Sequence, residues 1–157
     1  MTQNDDFAPW MGIDLGEKRI GVAVSDGLKI AANPLLVFER TSRKADFETF
    51  GKIAQEHRVS RLIVGLPIQL DGSEGSMAKW ARDYGTALGE ALGLPVFFQD
   101  ESLTSEEAAG AMAAAGYSRK KMKGKLDAVA AAIILQSYLE EQRTNDGSDL
   151  ELFSPTD

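Results

Sequence analysis

The period of the apolar positions changes several times along the chain, and each change marks an element. The stretch WMGIDLGEKRIGVAVSD, residues 10–26, holds two short β-type runs, around residues 12–15 and 20–24, separated by a glycine-bearing polar turn. That pattern predicts a hairpin. Residues 30–38 give a third strand, irregular or at an edge because Pro34 cannot donate to a ladder. Across residues 42–58, Phe47, Phe50, Ile53, Ala54 and His57 fall at helical spacing, with Ser42 or Thr41 placed to cap the start. Residues 61–66 form a continuous apolar run of the kind buried on both faces of a parallel sheet, at the sheet's centre, and Pro67 stops it. After a loop at residues 70–75, the stripe Met77, Trp80, Ala81, Tyr84, Leu88, Ala91 and Leu92 predicts a second helix, ended by Gly93 and Pro95. Residues 96–99 give a fifth strand. Thr104 and Glu107 have capping-box spacing, so a third helix is expected from there to about Gly116, and a last one over residues 126–142.

Three meandering strands followed by alternating helices and strands imply an α/β fold. The expected core is a mixed five-stranded sheet, three antiparallel strands and then two parallel ones, flanked by helices. In such sheets the site lies beyond the carboxyl ends of the parallel strands. Asp14 and the pair Asp100 and Glu101 fall at or just past strand ends, where chemistry is expected to gather.

Composition narrows the classes of function. With 157 residues, 43% hydrophobic and 26% charged, the chain fits one domain. Its expected limits are residues 9–143, between a flexible segment at 1–8 and an acidic, disordered tail at 144–157. Cysteine is absent, which excludes disulfides, thiolate metal sites and a cysteine nucleophile. Residues 1–6 lack the basic and apolar regions of a signal peptide, and no later apolar run is long enough for a bilayer. A cytoplasmic protein without membrane contact is expected. The formal net charge of −7 argues against coating nucleic acid through a general positive field, so any such contact is local. One local candidate is the run Arg119, Lys120, Lys121, Lys123 and Lys125, which contains no acid; its other reading is a solvated connection.

Three carboxylates carry the candidate chemistry. Asp14 stands in an otherwise apolar strand, where an uncompensated carboxylate costs about 2–5 kcal/mol or more. It either accepts hydrogen bonds from the turn at residues 16–18 or meets other acids at a metal. Asp100 and Glu101 end a strand just before a helix, and strand alternation lets at most one of them point at Asp14. Asp127 shares a helix face with Ala130, Ala131 and Ile134, whose small alanines allow close docking on the sheet; alternatively it is a first-turn acid at a helix dipole. Oxygen ligands alone, with no cysteine and a single His57, suit Mg²⁺ or Mn²⁺ better than zinc.

The segments IDLGEKRIGVAVSD, LIVGLPIQLDGSEG, DESLTS and LDAVAAAIILQSYL, in this order, resemble the YqgF/RuvX family. The resemblance implies a ribonuclease-H-like fold and a nuclease that matures the 5′ end of pre-16S rRNA, or one that resolves Holliday junctions. It also implies that Asp14, Glu101 and Asp127 are the catalytic, metal-holding acids. Partners would then be nucleic acid, either pre-rRNA or branched DNA, and the assembling ribosome. The oligomeric state, monomer or homodimer, stays open. One departure is visible: the family commonly has arginine where this chain has Ser102, which lacks bidentate, charge-assisted bonding and puts activity level and substrate choice in question.

Within this frame Gly16 and Gly21 permit a tight turn, and Lys18 and Arg19 are expected to meet phosphate beside the acids. Gly65, Pro67, Asp71, Gly72 and Gly75 either line the substrate cleft or merely connect strand to helix. Arg119, Lys120, Lys121 and Lys123 read as a clamp on the nucleic-acid backbone. Two rival functions fit some of these features. An actin-like or sugar-kinase-like ATP-binding protein shares the Asp-x-Gly turn at Asp14 but needs two such domains; a non-catalytic RNA- or protein-binding module would keep only the fold.

Overall fold

The structure is a computed structural model and describes residues 7–69, 71–101 and 126–153. Strands β1 (Trp10–Leu15) and β2 (Arg19–Ser25) form the expected hairpin, with Asp14 opposite Gly21. Gly16 N–H donates to the Arg19 carbonyl at 2.9 Å and closes the turn. Strand β3 (Ala32–Glu39) pairs antiparallel with β2 at one sheet edge, and its register shifts between Val22 and Ala23, where Pro34 takes its place in the ladder. The irregular edge strand expected from Pro34 is therefore present.

Strands β4 (Arg61–Leu66) and β5 (Val96–Asp100) join in parallel, giving the order β3-β2-β1-β4-β5. Strand β1 is the central one, and β4 lies between it and the edge strand β5; residues 62–66 are nonetheless fully buried. The sheet is mixed as its sequence pattern implies.

Helices α1 (Arg43–His57) and α2 (Ser76–Leu92) share one sheet face, and α3 (Leu126–Phe153) covers the other. Ser42 caps α1 by accepting from Ala45 N–H at 3.1 Å, and Arg58 closes it in the left-handed conformation. Gly93, at φ 68°, ends α2. The buried stripe of α2 is rotated from the expected one. It runs through Ala78, Ala81, Tyr84, Gly85, Leu88 and Gly89, while Met77 is 40% exposed. The reason is close approach: Gly85 lies tightly against Phe98 and Val64, and a Cβ on Gly89 would clash with Val96 and the Leu94 carbonyl. Helix α3 also runs past residue 142, to Phe153. Leu139, Glu140, Glu141, Gln142 and Arg143 are all good helix formers, whereas the segment 144–149, TNDGSD, has low helix propensity and its continuation of the helix has no explanation in local sequence.

Strand alternation sends Met11, Ile13, Leu15, Leu62, Val64 and Leu66 into the core under α1 and α2, and sends Ile63 toward α3. A buried polar link ties the two helices of the first face. Asp46, 2% exposed, accepts from Tyr84 Oη at 2.9 Å and from Thr41 N–H at 3.0 Å. Among the described residues no helix is long and apolar enough to cross a membrane. The helix expected at residues 104–116 and the basic run from Arg119 to Lys125 lie outside the described residues.

Candidate active site

Asp14 is the fifth residue of β1 and, two places from Gly12, points to the α3 side. What lets a helix reach that side is a strip of glycines in the sheet. A Cβ on Gly12 would stand 2.6 Å from the Ala131 carbonyl oxygen and 2.7 Å from Leu135 Cβ. A Cβ on Gly21, the cross-strand partner of Asp14, would run into the main chain of Asp127 and Ala128. Gly21 thus lies within β2 and serves close approach, not the turn to which its spacing from Gly16 assigns it. The alanines of α3 complete the fit, as its sequence suggests, and bring the first turn of the helix beside Asp14.

Glu101 arrives from the edge strand β5. Its N–H donates to the Leu66 carbonyl at 2.7 Å, so the parallel ladder continues one residue beyond β5. Val96 and Phe98 face α2, so Asp100 falls on their side and Glu101 on the side of Asp14. This resolves the choice that periodicity leaves open. The Glu101 carboxyl is hydrogen-bonded to that of Asp14, and Gly65 beneath it would bring a Cβ to 3.0 Å from Oε2. Of the expected loop, Gly65 therefore borders the site. Asp71 accepts from Ser73 N–H at 2.9 Å and Gln69 N–H donates to the Ser73 carbonyl at 2.9 Å, bonds internal to a connecting turn.

Two acids in contact cannot both ionise cheaply. Burial pushes the Glu101 carboxyl up to about 9, reinforced by its bond to Asp14 and by the negative charges of Asp14, Asp127 and Asp100. Burial likewise raises Asp14, opposed by the bond from Glu101 and aided by the charge of Asp127. The pair therefore holds one proton near neutrality, with Glu101 donating to Asp14. Asp127 stands close enough to act on both electrostatically but is turned toward β2, where Arg19 Nε donates to its Oδ2 at 3.2 Å.

The donor set fits a hard divalent cation: three carboxylates and no sulfur. His57 ends α1, just before β4 begins, and so lies toward the opposite end of the sheet. Among the described residues no three acid or imidazole side chains are close enough to ligate one ion together. Asp14 and Glu101 are in contact, while Asp127 is paired with Arg19.

Lys18 is exposed on the β1–β2 turn, and Arg19, also exposed, holds Asp127. Arg119, Lys120, Lys121, Lys123 and Ser102 lie outside the described residues. Sequence reasoning missed Gly12 as part of the helix-docking strip, and Arg40, whose guanidinium stacks on Trp80 beside Lys18. An isolated arginine between a strand and a helix carries no periodic signal.

Known proteins resemble this chain in sequence and in fold. The profile of the RuvX family, described as Holliday junction resolvase, matches residues 8–141. A Myxococcus xanthus protein named "Putative pre-16S rRNA nuclease" is 42% identical over 136 residues, covering 87% of this chain and 90% of its own. One of the same name from Synechococcus is 44% identical over 133 residues, covering 85% and 89%. Among solved structures, T. thermophilus RuvC in complex with a Holliday junction substrate superposes with a TM-score of 0.58 at 16% identity, over 87% of this chain and 96% of that one. The Fowlpox virus resolvase with Holliday junction DNA gives 0.56 at 11% identity, over 85% and 98%. These two likenesses show the fold, a ribonuclease-H-like one. By its sequence match, the chain belongs to the RuvX family.

Proposed function

We propose that this protein is a divalent-metal-dependent endonuclease that hydrolyses a phosphodiester bond in the maturation of the 5′ end of pre-16S rRNA. The observation that carries the reading is the Asp14–Glu101 pair, half-buried, in contact and flanked by Asp127. Such an arrangement is costly unless positive charge arrives. Asp14, Glu101 and Asp127 are the residues that would hold Mg²⁺ or Mn²⁺. When bound, such ions polarise the phosphoryl oxygen and favour ionisation of an attacking water.

The chain's own groups supply the rest. Asp14 and Glu101 are fixed on rigid strands, which holds their oxygens in place without reorganisation. Arg19 can pass from Asp127 to a substrate phosphate, and Lys18 is placed on the same turn for a second. Arg119, Lys120, Lys121 and Lys123 are assigned to backbone contact along the substrate. The names carried by the relatives favour the rRNA end, the family description favours a branched DNA, and the former is the reading adopted. It places the protein in the cytoplasm, with the assembling ribosome as partner.

The test is cleavage of a precursor 16S rRNA end and of a four-way DNA junction, each with Mg²⁺ or Mn²⁺. Cleavage of the RNA end, lost in Asp127→Asn, is expected. Preferential cleavage of the junction would move the substrate to DNA, and no metal-dependent cleavage of either would leave a binding module. Replacing Lys120, Lys121 and Lys123 by alanine should weaken nucleic-acid affinity and flatten its salt dependence.

A further inference from the structure

An open groove of ≈ 410 Å³ runs along the β1–β2 turn, bounded by Glu17, Lys18, Arg19, Glu39, Arg40 and Thr41. Its continuation reaches Met77 and Trp80 at the start of α2. We propose that this groove holds one unpaired nucleotide of the substrate strand, its base against the Arg40–Trp80 stack and its phosphate at Lys18. The proposal rests on the nuclease reading and names the substrate feature recognised beside the scissile bond.

Four observations carry it. The first is charge: in a chain of formal net charge −7, Lys18, Arg19 and Arg40 outnumber the acids Glu17 and Glu39 along the groove, and Lys18 and Arg40 form no ion pair among the described residues. The second is the surface offered. The Arg40 guanidinium lies 4.4 Å from the Trp80 ring centroid, and Trp80 in turn leans on Tyr84 at 5.1 Å. Aromatic rings and guanidinium planes are what unpaired bases stack upon, whatever their sequence.

The third is preorganisation. Arg40 N–H donates to the Lys18 carbonyl at 2.7 Å, and its Nη1 to the Gly16 carbonyl at 3.2 Å. The adjoining Thr41 is tied to buried Asp46, and Asp46 to Tyr84. Strand, turn and helix therefore hold the platform before any ligand arrives.

The fourth is position. Arg19 borders both the groove and the acid cluster, so the two are adjoining. The acids, however, open on the α3 side of the sheet, and Trp80 lies on the α1 and α2 side. A strand occupying both must bend round the β1–β2 turn. A single strand does so readily; a duplex, with a persistence length of about 150 bp for DNA, does not.

The test measures affinity by fluorescence anisotropy in EDTA, with a short labelled single-stranded oligoribonucleotide and a blunt duplex of the same length. Trp80→Leu and Arg40→Gln should each weaken single-strand binding roughly tenfold, the scale of losing one stacked base, while changing duplex binding less than about twofold. Arg40→Gln guards against loss of fold, since it leaves the Trp80–Tyr84 contact in place, and circular dichroism melts report on both variants. Unchanged single-strand affinity in a folded Arg40→Gln protein, or equal losses for single strand and duplex, would overturn the proposal. Failure of the nuclease reading is separately visible. Wild type that binds the single strand through Arg40 yet cleaves nothing with Mn²⁺ would refute the enzyme while upholding the groove.

Discussion

The two faces of the sheet pack helices on both small and large residues but differ at the end that holds the acids. Under α1 and α2 the core is made of large side chains, Met11, Ile13, Phe50, Leu62, Tyr84 and Leu88, all essentially inaccessible. Under α3 the sheet offers Gly12, Gly21 and Gly65, and the helix answers with Ala128, Ala131 and Ala132. The first face contributes stability through apolar area; the second gives up some of that area so that main chains come close. The close approach brings Asp127 beside Asp14, so acids that repel one another are gathered where the packing is least able to yield. Both sides of the sheet hold a hydrophobic core, and the acids gather on the α3 side alone.

Substitutions on the two sides should separate these roles. Asp14→Asn is expected to lower cleavage on the order of a thousandfold, the scale of removing a charge-stabilising group from a preorganised site, without lowering the melting temperature. A melting temperature that fell with activity would merge the two roles. Leu88→Ala, on the other face, should cost about 2–5 kcal/mol in denaturant unfolding and leave cleavage per folded molecule unchanged. Gly21→Ala should do both moderately, destabilising by about 1–3 kcal/mol and reducing cleavage, because the helix main chain carrying Asp127 must shift.

A smaller effect follows from pH. Because the Glu101 carboxyl titrates near 9 in the folded protein, against an ordinary value of 4.5, the folded state keeps a proton that the unfolded chain has lost between those values. Stability without divalent ions therefore falls as pH rises through that window, and Glu101→Gln should flatten the slope of melting temperature against pH. The smallest effect expected is that of Arg19→Ala. Freed from an exposed ion pair, Asp127 should join the cation site more readily, raising Mn²⁺ affinity a few-fold. Unchanged or weaker Mn²⁺ binding would show that Arg19 does not compete with the ion.

Much of this was legible in the sequence because it rests on local periodicity. The hairpin, the buried run at β4, the cap at Ser42 and the stop at Gly93 follow from spacing and backbone chemistry alone. Asp14 announces itself as an acid in an apolar strand. The choice of Glu101 over Asp100 was not legible, since it depends on the phase in which β5 joins β4. Nor was the role of Gly21: a glycine two residues into a strand looks like a turn residue until the helix lying across it is placed. The phase of α2 was misread for a related reason. Its apolar stripe includes Met77 and Ala91, but Gly85 and Gly89 decide where the helix touches the sheet. The buried Asp46 gave no signal, because its partners Tyr84 and Thr41 are set by the meeting of two helices.

The central claim, that Asp14, Glu101 and Asp127 form one cation site, is tested most directly by calorimetric titration of Mn²⁺ near neutral pH in two buffers of different ionisation enthalpy. Binding by the wild-type chain with release of about one proton, lost in Asp14→Asn, is the expected result, since the shared proton must leave when the ion enters. Binding that releases no proton, or that is the same in wild type and Asp14→Asn, would contradict the account.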